Sequence, residues 1–552
     1  MQTARRLYLY LLAGIGLGVL VSGVSLLLTT LFQALGLGGG EVIAGEQAER
    51  ERLTLATAMG AVALPVWLIH WFLAERGVRP GRPEADVERG SAMRGLYFAL
   101  VLGGLLIAML TSAGAIIEVV VQSLAGDTPD FRDPAGSLGL LVAASAAWTY
   151  HVRVRVRDWR IGTLTGAGAW LPRSYLYVAT FAGLFLLLFG LADLLSLVSR
   201  LVIGAPDPVF DSSQAWWSYP LATAVARVAI GAVASMGHWW YANRLWADVS
   251  DRGAVERQSR LRFAYFVAVL VVSAAAAIGY LGQGLSGVLD ASFDTLDNDS
   301  RLAAELIANL LAAATFAIAW QIHAGWLRAA AAVVGGPGRA TGERLVDYPT
   351  AIVGLAFGAV AIGRLLGELF ETLIGGQVVS GGQLALEIVA DFVPYALLGI
   401  SLWLWQWSRV ARARRADPIG GGASTVRRAA LLLVLAAAVL AGVAALGTIL
   451  YQVFGALFGL DARGDLGFPL GALLAAVTVA AYHGQLLRHD TGARDAVAAS
   501  ATAPSMATQP PELPLVLVAP EGTDAAELAG VRRALEEHLP DGYRLRDDRR
   551  MS

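Results

Sequence analysis

Apolar and polar stretches alternate along this chain with a long period. Apolar runs at 7–35, 96–125, 174–204, 263–289, 348–374 and 429–460 each exceed the roughly 20 residues that a helix needs to cross a bilayer. A second run follows each of them, at 53–74, 137–152, 219–243, 302–327, 384–408 and 468–487. The pattern predicts an all-α polytopic membrane protein with twelve transmembrane helices in six hairpins, at about 1–80, 90–158, 170–248, 258–330, 344–412 and 426–490. The run at 137–152 is short, and reaches full length only if Arg153 and Arg155 lead their charged ends back to the interface. Two spans per hairpin give all six the same orientation, a parallel duplication rather than an inverted repeat. Such hairpins can close into a ring or stack in a row; a closed or nearly closed bundle, which would bury both ends of the array, is the favoured arrangement.

Within the period lies a finer register. Each second run ends in an aromatic cluster around one polar position: His70, His151, His238, His323, Gln406 and His483, spaced 81, 87, 85, 83 and 77 residues apart. Each first run opens on arginine, usually with a tyrosine three or four residues later: Arg5 and Tyr8, Arg94 and Tyr97, Arg173 and Tyr177, Arg262 and Tyr265, Arg344 and Tyr348. That spacing puts both side chains on one helix face. The sixth unit has Arg427 and Arg428 but no such tyrosine. Arginine, tyrosine and histidine of one unit therefore fall at similar depth. Twelve of the 15 tryptophans lie in or just past the second-helix ends, so the aromatic enrichment is one-sided, as in an interfacial belt. The histidines read either as structural, bonding an arginine-loop carbonyl or a lipid headgroup, or as a ligand, ion or proton layer.

Composition narrows the chemistry. The 552 residues are 56% hydrophobic and 16% charged, against about a quarter charged in soluble domains, and mean hydropathy is +0.57. All 42 basic residues are arginine and there is no cysteine. Disulfides, thiolate metal sites, cysteine nucleophiles, Schiff-base lysines and a Walker A lysine are thereby excluded. A net charge of −2 carries no nucleic-acid signature. The loops inside hairpins are acidic (Glu41, Asp127, Asp290) and the connections between them arginine-rich (Arg76, Arg153, Arg409), which predicts cytoplasmic connections and cytoplasmic N- and C-termini in the inner membrane. The first apolar stretch is too long for a signal peptide and reads as an uncleaved span.

Ionisable residues inside the runs are candidates for function, because burying them in a bilayer is costly. The fifth unit carries the most, and is also the unit with glutamine in place of histidine. Arg364, Glu368, Glu387 and Asp391 form a candidate polar site there. Asp193 and Arg227 could pair across the third hairpin. No dinucleotide, P-loop, zincin or serine-hydrolase motif is present, and histidines borne one per helix make no metal site unless neighbouring units converge. Residues 491–512 read as a flexible linker. Residues 513–552 read as a small cytoplasmic βαβ-like tail: a strand in "LPLVLVAPEG", an amphipathic helix over 524–539 and a strand in "GYRLRDD".

The Arg-x-x-Tyr starts (Arg94 and Tyr97, Arg262 and Tyr265) and the Trp/His-rich ends (Trp67, His70 and Trp71; His238, Trp239 and Trp240) resemble a bacterial domain-of-unknown-function family built from a two-hairpin membrane module. The likeness covers about 1–490, as three modules, and brings no activity with it. Taken together, these features predict a non-enzymatic integral membrane protein, a scaffold or sensor without cofactor or metal, in contact with the lipid bilayer and with a cytoplasmic protein partner through its tail. Two alternatives stand: a transporter or channel with a polar path near the fifth unit, and a cofactor-binding subunit using the histidine layer.

Overall fold

The computed structural model describes residues 2–37, 46–82, 84–126, 134–161, 167–204, 216–293, 299–333, 338–374, 381–416, 424–458, 466–502 and 523–539. These are helical apart from short turns and caps, with no strand among them. The hairpins are α1 (Gln2–Phe32, extended by a π-helical turn at Gln33–Leu37) with α2 (Glu46–Gly77), α4 (Ala92–Leu124) with α5 (Pro134–Ile161), α6 (Ala167–Ile203) with α7 (Ser218–Ala247), α9 (Arg260–Phe293) with α10 (Asp299–Val333), α11 (Gly338–Ile374) with α12 (Gly381–Ala416), and α13 (Thr425–Leu457) with α14 (Gly467–Thr502). Two short helices, α3 (Ala85–Arg89) and α8 (Asp251–Arg257), sit in the connections after the first and third hairpins. Most of the acidic turn residues inside the hairpins lie outside the described residues.

Eleven of these helices are long and apolar enough to cross a membrane, not the twelve expected. The exception is α5. It has the length, but Arg153, Arg155, Arg157, Asp158 and Arg160 occupy its second half and leave too short an apolar stretch.

Close contact between helices rests on small residues, as expected where lipid competes for apolar surface. A Cβ at Gly231 would stand 2.4 Å from the backbone N of Leu187, so α6 and α7 could not approach this closely with any larger residue there. Gly471 does the same between hairpins, where a Cβ would meet the Gly363 carbonyl at 2.2 Å. The first helix of one hairpin packs on the second helix of the next: α1 on α5, α4 on α7, α6 on α10, α9 on α12, and α11 on α14 through Gly363 and Gly471. Among the described residues, the extensive packing pairs join only consecutive hairpins, and α1 and α2 do not pack along α13. The closed or nearly closed bundle favoured from the sequence is therefore not supported by the described packing.

The chain divides into two compact units, Met1–Gly492 and Ala493–Ser552. Helix α14 runs on to Thr502, so the first part of the expected linker is helical. In the second unit, α15 (Ala525–Glu537) forms where an amphipathic helix was expected. Its N-cap is Asp524, whose carboxylate accepts the Glu527 backbone N–H at 2.7 Å. The two strands expected on either side lie outside the described residues, and the βαβ arrangement has no support.

Candidate functional site

The six register positions lie at one end of the hairpins, near the starts of the first helices. At each histidine, Nδ1 is 2.7–2.9 Å from the carbonyl four residues earlier: Val66 for His70, Ala147 for His151, Ala234 for His238, Ala319 for His323 and Val479 for His483. A carbonyl only accepts, so Nδ1 carries the proton and a neutral ring leaves Nε2 as an acceptor. In four hairpins a tyrosine of the same hairpin's first helix donates to it: Tyr8 to His70 at 3.4 Å, Tyr97 to His151 at 2.9 Å, Tyr175 to His238 at 2.8 Å and Tyr265 to His323 at 3.2 Å. The ring-stacked surroundings are dense. Trp71 stacks on Tyr97 with centroids 5.1 Å apart, and Trp239 stacks on Trp326 at the same separation.

Odd and even hairpins use the arginine start differently. In the even ones Ser91, Ser259 and Ser424 each precede an arginine by three residues, and the Ser91 and Ser424 hydroxyls accept the backbone N–H of Arg94 and Arg427. These arginines are buried: Arg94 is fully enclosed, Arg262 is 5% exposed and Arg427 3%. Arg94 donates Nε and Nη2 to Asp158 at 2.9 and 2.6 Å, Nη2 to Glu75 at 2.7 Å and Nη1 to the Tyr10 hydroxyl at 3.3 Å. Arg427 donates Nε to Asp490 at 2.5 Å and Nη1 to the Tyr348 hydroxyl at 3.2 Å. Asp158 and Asp490 each stand seven residues after their histidine; the matching position in the fourth hairpin is Ala330. Arg262 accordingly has one side-chain acceptor of close geometry, Asn243 at 2.8 Å, while its Nε and Nη1 find no hydrogen-bond partner. Trp239 and Trp246 stack over its guanidinium at 4.7 and 4.5 Å, which softens that deficit.

In the odd hairpins the tyrosine at the next like position, Tyr10, Tyr177 or Tyr348, binds away from its own hairpin's register residue. Tyr10 and Tyr348 bind the arginine of the next hairpin, and Tyr177 donates to Glu256 on α8. Glu256 is fully buried and pairs with Arg173 at 3.3 Å, as Glu88 on α3 pairs with Arg6 at 2.7 Å. The sequence placed Tyr177 and Tyr348 on the helix face of their own unit's arginine, at the depth of its register residue. Their partners are elsewhere, and Tyr175 was missed. The signal was present: positions 8, 10, 175 and 177 repeat only when every second hairpin is compared.

The other candidates fare unequally. Asp193 and Arg227 do pair across the third hairpin, at a half-exposed position. Arg364, Glu368, Glu387 and Asp391 are not brought together: among the described residues no ion pair joins any two of them. Arg364 lies between the rings of Phe392 and Phe468 at 5.2 and 4.7 Å, and the side chains of Glu387 and Asp391 are exposed. No group of three or more His, Asp or Glu is placed to hold a metal ion among the described residues.

A family described as "Domain of unknown function (DUF5671)" matches residues 6–150, 173–322 and 344–482. The chain belongs to this family. Comparison with curated proteins and with solved structures found no match. The three matches start on Arg6, Arg173 and Arg344 and stop one residue before His151, His323 and His483. Each spans two hairpins, so the array is three copies of a DUF5671 module, and the odd–even difference is a difference between its halves. The third copy departs from the others at three positions of the tyrosine–histidine register: Val346 for Tyr8 and Tyr175, Gln406 for His70 and His238, and Ala430 for Tyr97 and Tyr265. Glutamine thus replaces histidine in the hairpin whose donor tyrosine is also gone.

Proposed function

We propose that this DUF5671 protein is a non-enzymatic, multi-pass scaffold or sensor of the bacterial cytoplasmic membrane. The carrying observation is that four histidines commit both ring nitrogens within their own hairpins, to a backbone carbonyl and a tyrosine. A histidine held this way serves packing and register, and would have to break a bond to take a metal, a haem iron or a transported proton. The polar path expected near the fifth unit lacks assembled side chains, which also favours the scaffold reading over a channel. The tail, with its exposed helix α15, is the part we assign to a cytoplasmic protein partner.

In this reading α5 crosses the bilayer too. Its 28 residues span about 42 Å as a helix, more than the hydrocarbon thickness of about 30 Å. Its arginines are led to the interface or paired with Asp158 and Glu75. Twelve crossings put both termini on one side, whereas eleven put them on opposite sides. The arginine-rich connections make that common side the cytoplasm.

Two measurements test this. Reporters fused after residue 490 and within 126–136 should behave as cytoplasmic and external, respectively; an external C-terminal reporter overturns the twelve-span orientation. Purified protein in liposomes containing a pH-sensitive dye should leak protons no faster than empty liposomes. Flux above that background overturns the scaffold reading in favour of a conducting one.

A further inference from the structure

The first helices share a second register, about 26 Å along the helix from the tyrosine layer. Seventeen residues after the donor positions Tyr8, Tyr97, Tyr175, Tyr265, Val346 and Ala430 stand Ser25, Gly114, Ala192, Gly282, Gly363 and Gly447. All six are small, and the first five are buried. At four of these five the neighbour is the second helix of the next hairpin. A Cβ on Gly139 would stand 2.6 Å from the Ser25 carbonyl oxygen, and one on Gly471 would stand 2.2 Å from that of Gly363. A Cβ on Gly282 would overlap the Tyr395 ring at 2.2 Å, and one on Gly114 would touch Ile230 at 3.5 Å. The sixth position differs. Gly447 on α13 is exposed, and a Cβ there meets nothing within 4 Å. Leu440, Val443 and Tyr451, on the same face at helical spacing, are exposed too, Tyr451 to 70%. No hairpin follows α13 to cover this face.

The complementary face is on α2, a second helix with no hairpin before it. A contact after the sixth hairpin would be of the even-to-odd kind, seen where α4 packs on α7 and α9 on α12. There Gly114 meets Ile230, eight residues before His238, and Ser286 donates to the Asp391 carbonyl at 3.1 Å, fifteen residues before Gln406. Counted back from His70, the same positions in α2 are Val62 and Leu55. Both are exposed, Val62 to 67%. The equivalent of Ser286 in α13 is Tyr451. Within one molecule α13 does not pack on α2, so the two half-faces stay apart. We infer that α13 of one molecule docks on α2 of a second copy, Gly447 against Val62 and Tyr451 against Leu55, so that the protein associates head to tail through a contact it already makes twice internally. Lipid gives apolar side chains no drive to leave it, and a close approach at a small residue is what makes helices associate there. Gly447 provides that approach, and the surface that fits it is carried by this chain itself. The two faces differ, so the contact is heterologous and builds a ring or an open string of molecules. The inference stands apart from the scaffold reading and is tested without it.

The test uses the full chain, whose lack of cysteine leaves no thiol background. Gly447→Cys and Val62→Cys proteins are purified separately, mixed in detergent, reconstituted together into liposomes and treated with a short bis-maleimide. A cross-linked dimer should form in the mixture and not in either protein alone. Val360→Cys, exposed on α11, mixed with Val62→Cys reports random encounters and should give severalfold less dimer. Gly447→Leu adds bulk where its own molecule has open space, so it should leave the unfolding midpoint unchanged while shifting the particle mass in mild detergent from dimer or larger to monomer. A mixture that cross-links no better than the Val360→Cys control overturns the proposal and leaves these faces to lipid. Cross-linking of each single variant with itself overturns the head-to-tail geometry in favour of a symmetric contact. A chain carrying both Val62→Cys and Gly447→Cys that cross-links only within itself overturns it in favour of ring closure in one molecule. An unchanged particle mass for Gly447→Leu removes Gly447 from the contact and overturns the assignment.

Discussion

The hydroxyl of Tyr10 lies 3.3 Å from Nη1 of Arg94, and the two residues belong to different hairpins. That contact, repeated between Tyr348 and Arg427, ties the first and fifth hairpins to the even ones after them. Asp158 makes the stronger contact with Arg94, and it is buried with it. Without Asp158, Arg94 keeps Glu75 as its remaining described carboxylate partner.

Asp158→Ala should therefore destabilise the protein by about 1–3 kcal/mol, the cost of losing charged hydrogen bonds to a buried arginine that keeps a second carboxylate. The thermal unfolding midpoint in detergent measures it. The double substitution Arg94→Met with Asp158→Leu should lose less than Asp158→Ala alone. A double variant as unstable as the single one would show that packing, not charge, sets the loss.

Ala330→Asp should have the opposite sign. It places a carboxylate where the first and third modules have Asp158 and Asp490, facing an Arg262 whose Nε and Nη1 lack partners. The gain should be about 1–3 kcal/mol, in the range of charged hydrogen bonds. A lowered unfolding midpoint would mean that Trp246 already fills the space a carboxylate needs.

The tyrosine–histidine bonds should differ in weight. Tyr97 is 4% exposed and Tyr8 56% exposed. Tyr97→Phe leaves His151 Nε2 buried without a donor and should cost about 1–3 kcal/mol. Tyr8→Phe should cost under about 0.5 kcal/mol, since solvent can replace the hydroxyl at an exposed site. Equal losses in unfolding experiments would contradict the burial difference.

Gly231→Leu should prevent the third hairpin from closing, because its Cβ would overlap the backbone of α6. Gly104→Leu is the control: a Cβ there meets nothing within 4 Å. Loss of folded protein on size exclusion is expected for the first substitution only.

Much of this was legible in the sequence. The hairpins followed from runs long enough to cross a bilayer, and the histidine register from its recurrence near every eightieth residue. Helix α5 falls short of the apolar length of the other eleven because 137–152 reads as apolar only up to Arg153. The roles of Tyr175, Glu88 and Glu256 were hidden by comparing every hairpin with the next. Their repeat is twice as long, since odd and even hairpins turn their tyrosines to different partners. Gln406 drew attention to the charges of its own helix pair. Its structural correlate is instead Val346, a missing hydroxyl on the facing helix. Pairings of that kind depend on which faces meet, and a single chain read in order does not display them.

The partners described for the arginine that opens each even hairpin all come from its own module. Tyr10, Glu75 and Asp158 surround Arg94; Asn243 serves Arg262; Tyr348 and Asp490 hold Arg427. No copy borrows a counter-ion from another at these positions. An additional copy inserted at a module boundary would carry its own arginine partners into the membrane, and a deleted one would strand none of these three arginines. The number of copies is in this respect electrostatically unconstrained, which makes three a count that gene duplication could extend or shorten.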